Sequence, residues 1–125
     1  MIAVQLFPNK GRGVVATTTI PKDTVIERVP SASFPAEQRA MIDSTSVAKY
    51  YFVLPSEYEQ HDNIDGYFVF GLSSLCNHKE TPNAYIKWIK TETGLWAHLI
   101  ALQDIKMDQE VSLFYTNVDE YQFNN

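Results

Sequence analysis

The stretch Asn77-His78-Lys79-Glu80-Thr81-Pro82-Asn83 gathers amide and imidazole groups around a proline-restricted turn. Asn and His offer both donors and acceptors, so together they can satisfy a polar ligand held away from water. The same residues also make an Asx-turn with a capping histidine. A metal centre is the poorer reading: Cys76 and His78 have no second ligand pair at zinc spacing, and His61 and His98 stand alone. Upstream, Gly11-Arg12-Gly13 flanks one residue with two glycines. Glycine permits positive φ and close approach of the backbone to a ligand, although a plain turn between strands uses the same residues. The third glycine and following helix of a dinucleotide fingerprint are missing. Downstream, Glu110-Val111-Ser112-Leu113-Phe114-Tyr115 reads as a short apolar strand ending in a phenol, which taken alone is a core residue.

In order and in the spacing of the last two, these three blocks resemble the SET domain, the fold of most protein-lysine methyltransferases, over nearly the whole chain. The resemblance implies a mostly β, β-clip-like fold of several small sheets and short helices, with a pseudoknot-like C-terminal crossing. It implies that Gly11, Arg12, Gly13, Asn77, His78 and Tyr115 bind S-adenosylmethionine, and that Asn83 supports the crossing. Tyr115 would stand at the reacting methyl as the catalytic tyrosine. Val47-Ala48-Lys49-Tyr50-Tyr51-Phe52 resembles a segment of the small viral SET methyltransferases in which a tyrosine walls the lysine channel. Tyr50 matches that tyrosine and is the second catalytic candidate; a one-residue slip selects Tyr51. Tyr121 and Phe123, spaced as one face of a strand requires, resemble the aromatic tail that closes the channel. Two positions depart from the family pattern: the usual serine after the histidine is Lys79, and the usual glycine after the tyrosine is Thr116.

The reaction implied is methyl transfer from S-adenosylmethionine to a lysine ε-amine of a protein, such as a histone tail or another basic protein. A free lysine has a pKa of about 10.4, so an aromatic channel has to desolvate it into the neutral nucleophile. No general base is visible in the sequence, and Tyr115 is expected to orient and stabilise rather than to take a proton. Lys79 and Thr116 keep a second reading open, a SET-like domain that binds peptides without transferring methyl groups. A third, an unrelated β-clip domain sharing the early strand pattern Gly13–Val29, leaves the Asn77–Asn83 block and Tyr115 without a common purpose.

Short strands have to position these blocks. Val4–Phe7 and Gly13–Thr17 read as strands around a Pro-Asn-Lys-Gly turn, and Thr24–Val29 as a third. Pro35–Met41 is helix-friendly, with proline able to sit in the first turn. Ser44–Val53 fits neither the helical nor the strand period, and Glu57–Asp65 reads as an exposed polar loop. Tyr67–Phe70 reads as a strand and Gly71–Cys76 as a helical turn. Asn83–Ile89 and Leu95–Leu102 alternate around Thr91-Glu92-Thr93-Gly94, a hairpin signal. Asp104–Gln109 is a turn region and Val111–Tyr115 the last strand.

With 125 residues, one domain spanning 1–125 is expected. A hydrophobic fraction of 45% and an aromatic fraction of 13% can build one modest core. A net charge of −5 argues against direct nucleic-acid binding and suits a basic partner, a protein presenting an accessible lysine. No run approaches the ~18 apolar residues of a membrane span, and no secretory signal is apparent. The single cysteine, Cys76, excludes an internal disulfide and a multi-cysteine zinc site, so an intracellular, reducing compartment, cytoplasmic or nuclear, is expected. A homodimer stays open, because some small family members dimerise.

Overall fold

The structure is a computed structural model and describes residues 1–9, 11–59 and 63–120. Strands β1 (Ile2–Phe7) and β2 (Gly11–Ala16) form an antiparallel hairpin in register from Ile2↔Ala16 to Phe7↔Gly11. Gly11 closes the turn with φ of 76°, a conformation that favours glycine. The expected third strand is longer than its alternation suggests: β3 runs from Val25 to Phe34, straight through Pro30. Pro30 is tolerated because it stands at a change of partner. β3 pairs with β8 (Gly94–Ala101) along Val25–Pro30 and with β5 (Gly66–Val69) along Ser31–Phe34. A residue lacking an N–H costs least at such a junction.

The helical expectation at Pro35–Met41 is met by a 3-10 turn over Ala36–Gln38 and the short helix α1 (Arg39–Asp43), with Pro35 at the N-cap. The stretch of mixed period resolves into a 3-10 turn, Ala48–Tyr50, followed by β4 (Tyr51–Phe52). The expected loop at Glu57–Asp65 is corrected at both ends. Pro55–Tyr58 forms one helical turn, α2, and Ile64 is buried with Phe34, Tyr51 and Val53 in a small second core. One apolar residue in a polar run has no period to betray it, so its burial was not legible.

β7 (Ala84–Thr91) and β8 form the predicted hairpin, with Gly94 at φ of 109° in its turn. The large sheet has the order β4-β5-β3-β8-β7. Its two edges approach each other, for Phe52 of β4 and Trp88 of β7 have ring centroids 5.8 Å apart. The sheet therefore curls around the space between them.

Asn77–His78, read as part of a turn, is strand β6 and pairs parallel with β9 (Ser112–Leu113). Parallel neighbours need a long connection, and here the β7–β8 hairpin supplies it. Residues 110–113 are held on both flanks. Val111 N–H donates to the Val14 carbonyl at 2.8 Å and Glu110 bridges Val15, while Lys79 N–H donates to the Leu113 carbonyl at 2.9 Å. Asn83 closes the crossing: its Nδ2 donates to the Glu110 carbonyl at 2.8 Å, and its Oδ1 accepts from Ser112 N–H at 2.9 Å. The main core, including Val14, Ile20, Cys76, Leu99, Ile105 and Val111, gathers around this crossing.

Candidate active site

The crossing brings the sequence-separated blocks together. Asn77 Nδ2 donates to Glu110 Oε2 at 2.8 Å and to the Arg12 carbonyl at 3.3 Å, so one amide joins all three. Gly13 shows why no larger residue fits beside it: a Cβ there would meet Asn77 Nδ2 at 2.7 Å and Glu110 Oε2 at 2.9 Å. At Gly13 the close approach is thus to the protein's own side chains. Around Gly11 no atom of the described residues lies within 4 Å of where a Cβ would stand.

His78 and Tyr115 interlock. Tyr115 N–H donates to His78 Nδ1 at 2.9 Å, which leaves that nitrogen unprotonated and puts the ring hydrogen on Nε2. Among the described residues Nε2 is buried without a hydrogen-bond partner, and Glu80 Oε1 at 3.5 Å is too distant for a good one. A neutral ring makes that contact no ion pair. The Tyr115 hydroxyl donates to the Cys76 carbonyl at 2.6 Å, and the His78 ring lies 4.9 Å from Phe114 and 5.2 Å from Tyr115. The phenol is thereby fixed from both ends. The Cys76 thiol beneath it is buried, and burial pushes its pKa up, with help from the charges of Glu27 and Glu110.

Two cavities flank this arrangement. One, of about 150 Å³, lies between the approaching sheet edges and the segment after β9; Tyr51, Phe52, Trp88, Phe114, Tyr115 and Asn117 are among its walls. The other, more open and about 240 Å³, is lined by Arg12, Val47, Tyr50, Phe70 and Leu75 with parts of β5. Ser74 belongs to both.

The structure divides the aromatic candidates between these cavities. Tyr115 lines the first, whereas Tyr50 lines the second, where its hydroxyl accepts from Arg12 Nη2 at 3.4 Å. The neighbour Tyr51 is the one beside Tyr115's cavity. Tyr50 ends a 3-10 turn and Tyr51 begins a strand, so consecutive side chains leave on different sides. Tyr121 and Phe123 lie outside the described residues. The Tyr51 hydroxyl is itself engaged, donating to Asp43 Oδ1 at 2.7 Å and accepting from Arg39 Nε at 3.3 Å. Burial, then the Asp43 hydrogen bond, push its pKa up to about 12. Arg39 also pairs with Glu120 at 2.5 Å, and Glu120 takes Asn117 Nδ2 at 3.0 Å. These bonds fasten the chain after β9 to α1.

Tyr51, the alternative to Tyr50 by a one-residue slip, takes the place beside Tyr115, and Glu110, Trp88 and Arg39 contribute without having been singled out from the sequence. Glu110 had a faint signal, a carboxylate opening an apolar strand; the others had none. Lys79 is exposed and keeps its backbone bond to Leu113, and Thr116 is not among the residues with positive φ. Neither departure distorts the site. Among the described residues no group of three or more His, Cys, Asp or Glu could hold a metal ion, and no helix is long and apolar enough to cross a membrane.

The expected last strand, Val111–Tyr115, is only Ser112–Leu113, and Tyr115 stands two residues beyond it, interlocked with His78. Asn83 fastens the crossing and Asn77 joins Arg12 to Glu110: this is the arrangement expected of the SET-domain class. A family model for the SET domain matches residues 11–116, and the chain belongs to that family. Two curated Schizosaccharomyces pombe proteins are similar to it. One, a histone-lysine N-methyltransferase specific for H3 lysine-37, is 32% identical over 106 residues, covering 85% of this chain and 67% of the relative. The other, specific for H3 lysine-36, is 30% identical over 129 residues, covering 96% of this chain but only 15% of the relative. Among solved structures, a histone methyltransferase candidate from Plasmodium falciparum superposes with a TM-score of 0.68 at 25% identity, over 91% of each chain. The Neurospora histone lysine methyltransferase DIM-5 does so with a TM-score of 0.69 at 18% identity, over 91% of this chain and 51% of its own, a likeness of fold.

Proposed function

We propose that this chain is a protein-lysine N-methyltransferase that takes its methyl group from S-adenosylmethionine. The observation that carries the reading is the pair of cavities sharing Ser74, one beside Arg12 and the other beside Tyr115. Two reactants held in adjacent cavities need not displace each other.

The more open cavity suits the cofactor. Space above Gly11 leaves its backbone approachable, the Arg12 guanidinium suits a carboxylate, and Tyr50 and Phe70 offer rings for an adenine. S-adenosylmethionine, when bound, supplies an electrophilic methyl group on a sulfonium. The Tyr115 cavity suits the lysine. Tyr51, Phe52, Trp88 and Tyr115 wall it with rings that attract an ammonium and, by excluding water, favour the neutral amine. Because Asp43 and Arg39 occupy the Tyr51 hydroxyl, that residue contributes its ring. His78 and the Cys76 carbonyl hold Tyr115, which orients the amine, and the proton leaves through water.

The substrate on this reading is a basic protein with an accessible lysine, of the histone type named for the yeast relatives, and the chain works in the cytoplasm or nucleus where such proteins occur. The interaction-module reading loses its motive, since Lys79 points to solvent and Thr116 needs no left-handed backbone. The test is methyl incorporation from labelled S-adenosylmethionine into lysine-bearing histone peptides. The wild type is expected to transfer label, and Tyr115→Phe to lower kcat at least about tenfold with the fold intact. Equal turnover in the two proteins removes Tyr115 from the site.

A further inference from the structure

Ser74 belongs to the 3-10 turn Leu72–Leu75, which runs directly into Cys76, the acceptor for the Tyr115 hydroxyl. Such a turn leaves its first N–H groups without partners of its own. Its N-cap is Gly71, which has no side chain to supply an acceptor. Glu27 supplies it from β3: Oε2 accepts from Leu72 N–H at 2.9 Å, and Oε1 from Ser73 N–H at 3.0 Å. Bonds to an ionised carboxylate are roughly twice as strong as neutral ones. Gly71 makes room for them. Its φ of −164° is extended backbone open to any residue, but a Cβ would stand 2.6 Å from Glu27 Oε1 and 2.7 Å from Val29 Cγ1.

No cation pairs with Glu27 among the described residues, so the two backbone N–H groups answer its charge. The carboxylate also lies near enough to Cys76 for its charge to add to the burial that holds that thiol protonated. Glu27 lines neither cavity, yet the turn it holds carries the residue common to both.

We infer that Glu27 is a positioning residue for methyl transfer, acting through Leu72 and Ser73 on Ser74 and on the Cys76 carbonyl that takes the Tyr115 hydroxyl. The inference rests on the proposed reaction for its effect on turnover, but not for its effect on the hydrogen bond. With one cysteine in the chain, carbonyl-13C cysteine gives a single NMR resonance reporting the Tyr115–Cys76 contact. Glu27→Gln keeps the volume and removes the charge and one acceptor. We expect that resonance to move in the direction that Tyr115→Phe moves it. We expect kcat to fall roughly tenfold or more, with KM for the lysine peptide within about twofold, the mark of an interaction that serves the reacting geometry. A merely stabilising carboxylate would lower the melting temperature and leave both readouts at wild-type values in the folded protein. That result overturns the inference. If Glu27→Gln does not fold, Gly71→Ala presses on the same carboxylate and the same criterion applies to its resonance. A moved resonance in a protein whose wild type transfers no methyl supports the Glu27 contact and overturns the reaction.

Discussion

Tyr51 and Tyr115 are neighbouring phenols set apart by what each hydroxyl meets. Tyr115 donates to a backbone carbonyl, whereas Tyr51 donates to the Asp43 carboxylate with Arg39 on its oxygen. Burial first, then that carboxylate, raise Tyr51 to about 12 from the ordinary value of about 10. Between those values the folded chain keeps a proton that the unfolded chain has lost. The folded state then binds more protons, so stability falls as pH rises through that window, and the contribution is fully present below about pH 10. Thermal melts in this range should therefore show a shallower alkaline decline for Tyr51→Phe than for wild type. Identical slopes would mean that Tyr51 ionises as freely folded as unfolded. At this scale residue type alone left Asn77 and His78 readable as a capped turn and Tyr115 as a core phenol; the family resemblance singled them out, and the structure brings His78 and Tyr115 into contact. The sequence could not say which of Tyr50 and Tyr51 reaches the Tyr115 cavity, because that depends on a one-residue switch from turn to strand.

Among the elements, the β7–β8 hairpin was legible because eight-residue strands alternate around a glycine-bearing turn. The β6–β9 pair was not, since two-residue strands carry no period. Its existence depends on Asn83, whose side chain answers the Glu110 carbonyl and Ser112 N–H inside the crossing. Asn83 and Ser112 are buried, so water cannot replace the lost bonds. Leaving a buried polar group unpaired costs about 1–3 kcal/mol. Asn83→Ala should therefore lower unfolding free energy by about 2–4 kcal/mol in urea titration. A loss below about 0.5 kcal/mol, the range of ordinary surface substitutions, would mean that the crossing is held by its backbone pairing alone. The long β3 shows the reverse error: proline ordinarily argues against a strand interior, and only the change of partner at Pro30 makes room for it.

Across the whole molecule, curling of the large sheet and threading of residues 110–113 act together. The curl brings Phe52 and Trp88 across from each other and shapes the Tyr115 cavity. The threaded segment carries Tyr115 to its wall, and Asn77, bonded to both the Arg12 carbonyl and Glu110, joins that segment to the Gly11–Gly13 block. Composition set the scale of the core and the acidic balance that suits a basic substrate. It held no trace of the two cavities, which arise from segments far apart in the chain and have Ser74 as a common lining residue. If the cavity beside Arg12 receives S-adenosylmethionine, the reaction product S-adenosylhomocysteine should bind there too, and calorimetric titration measures that binding. One binding site per chain is expected, lost in an Asn77→Ala variant that still folds, because Asn77 fastens the Arg12 carbonyl beside that cavity. Absence of binding by the folded wild-type protein at about millimolar ligand, the range of the weakest specific complexes, would contradict that assignment.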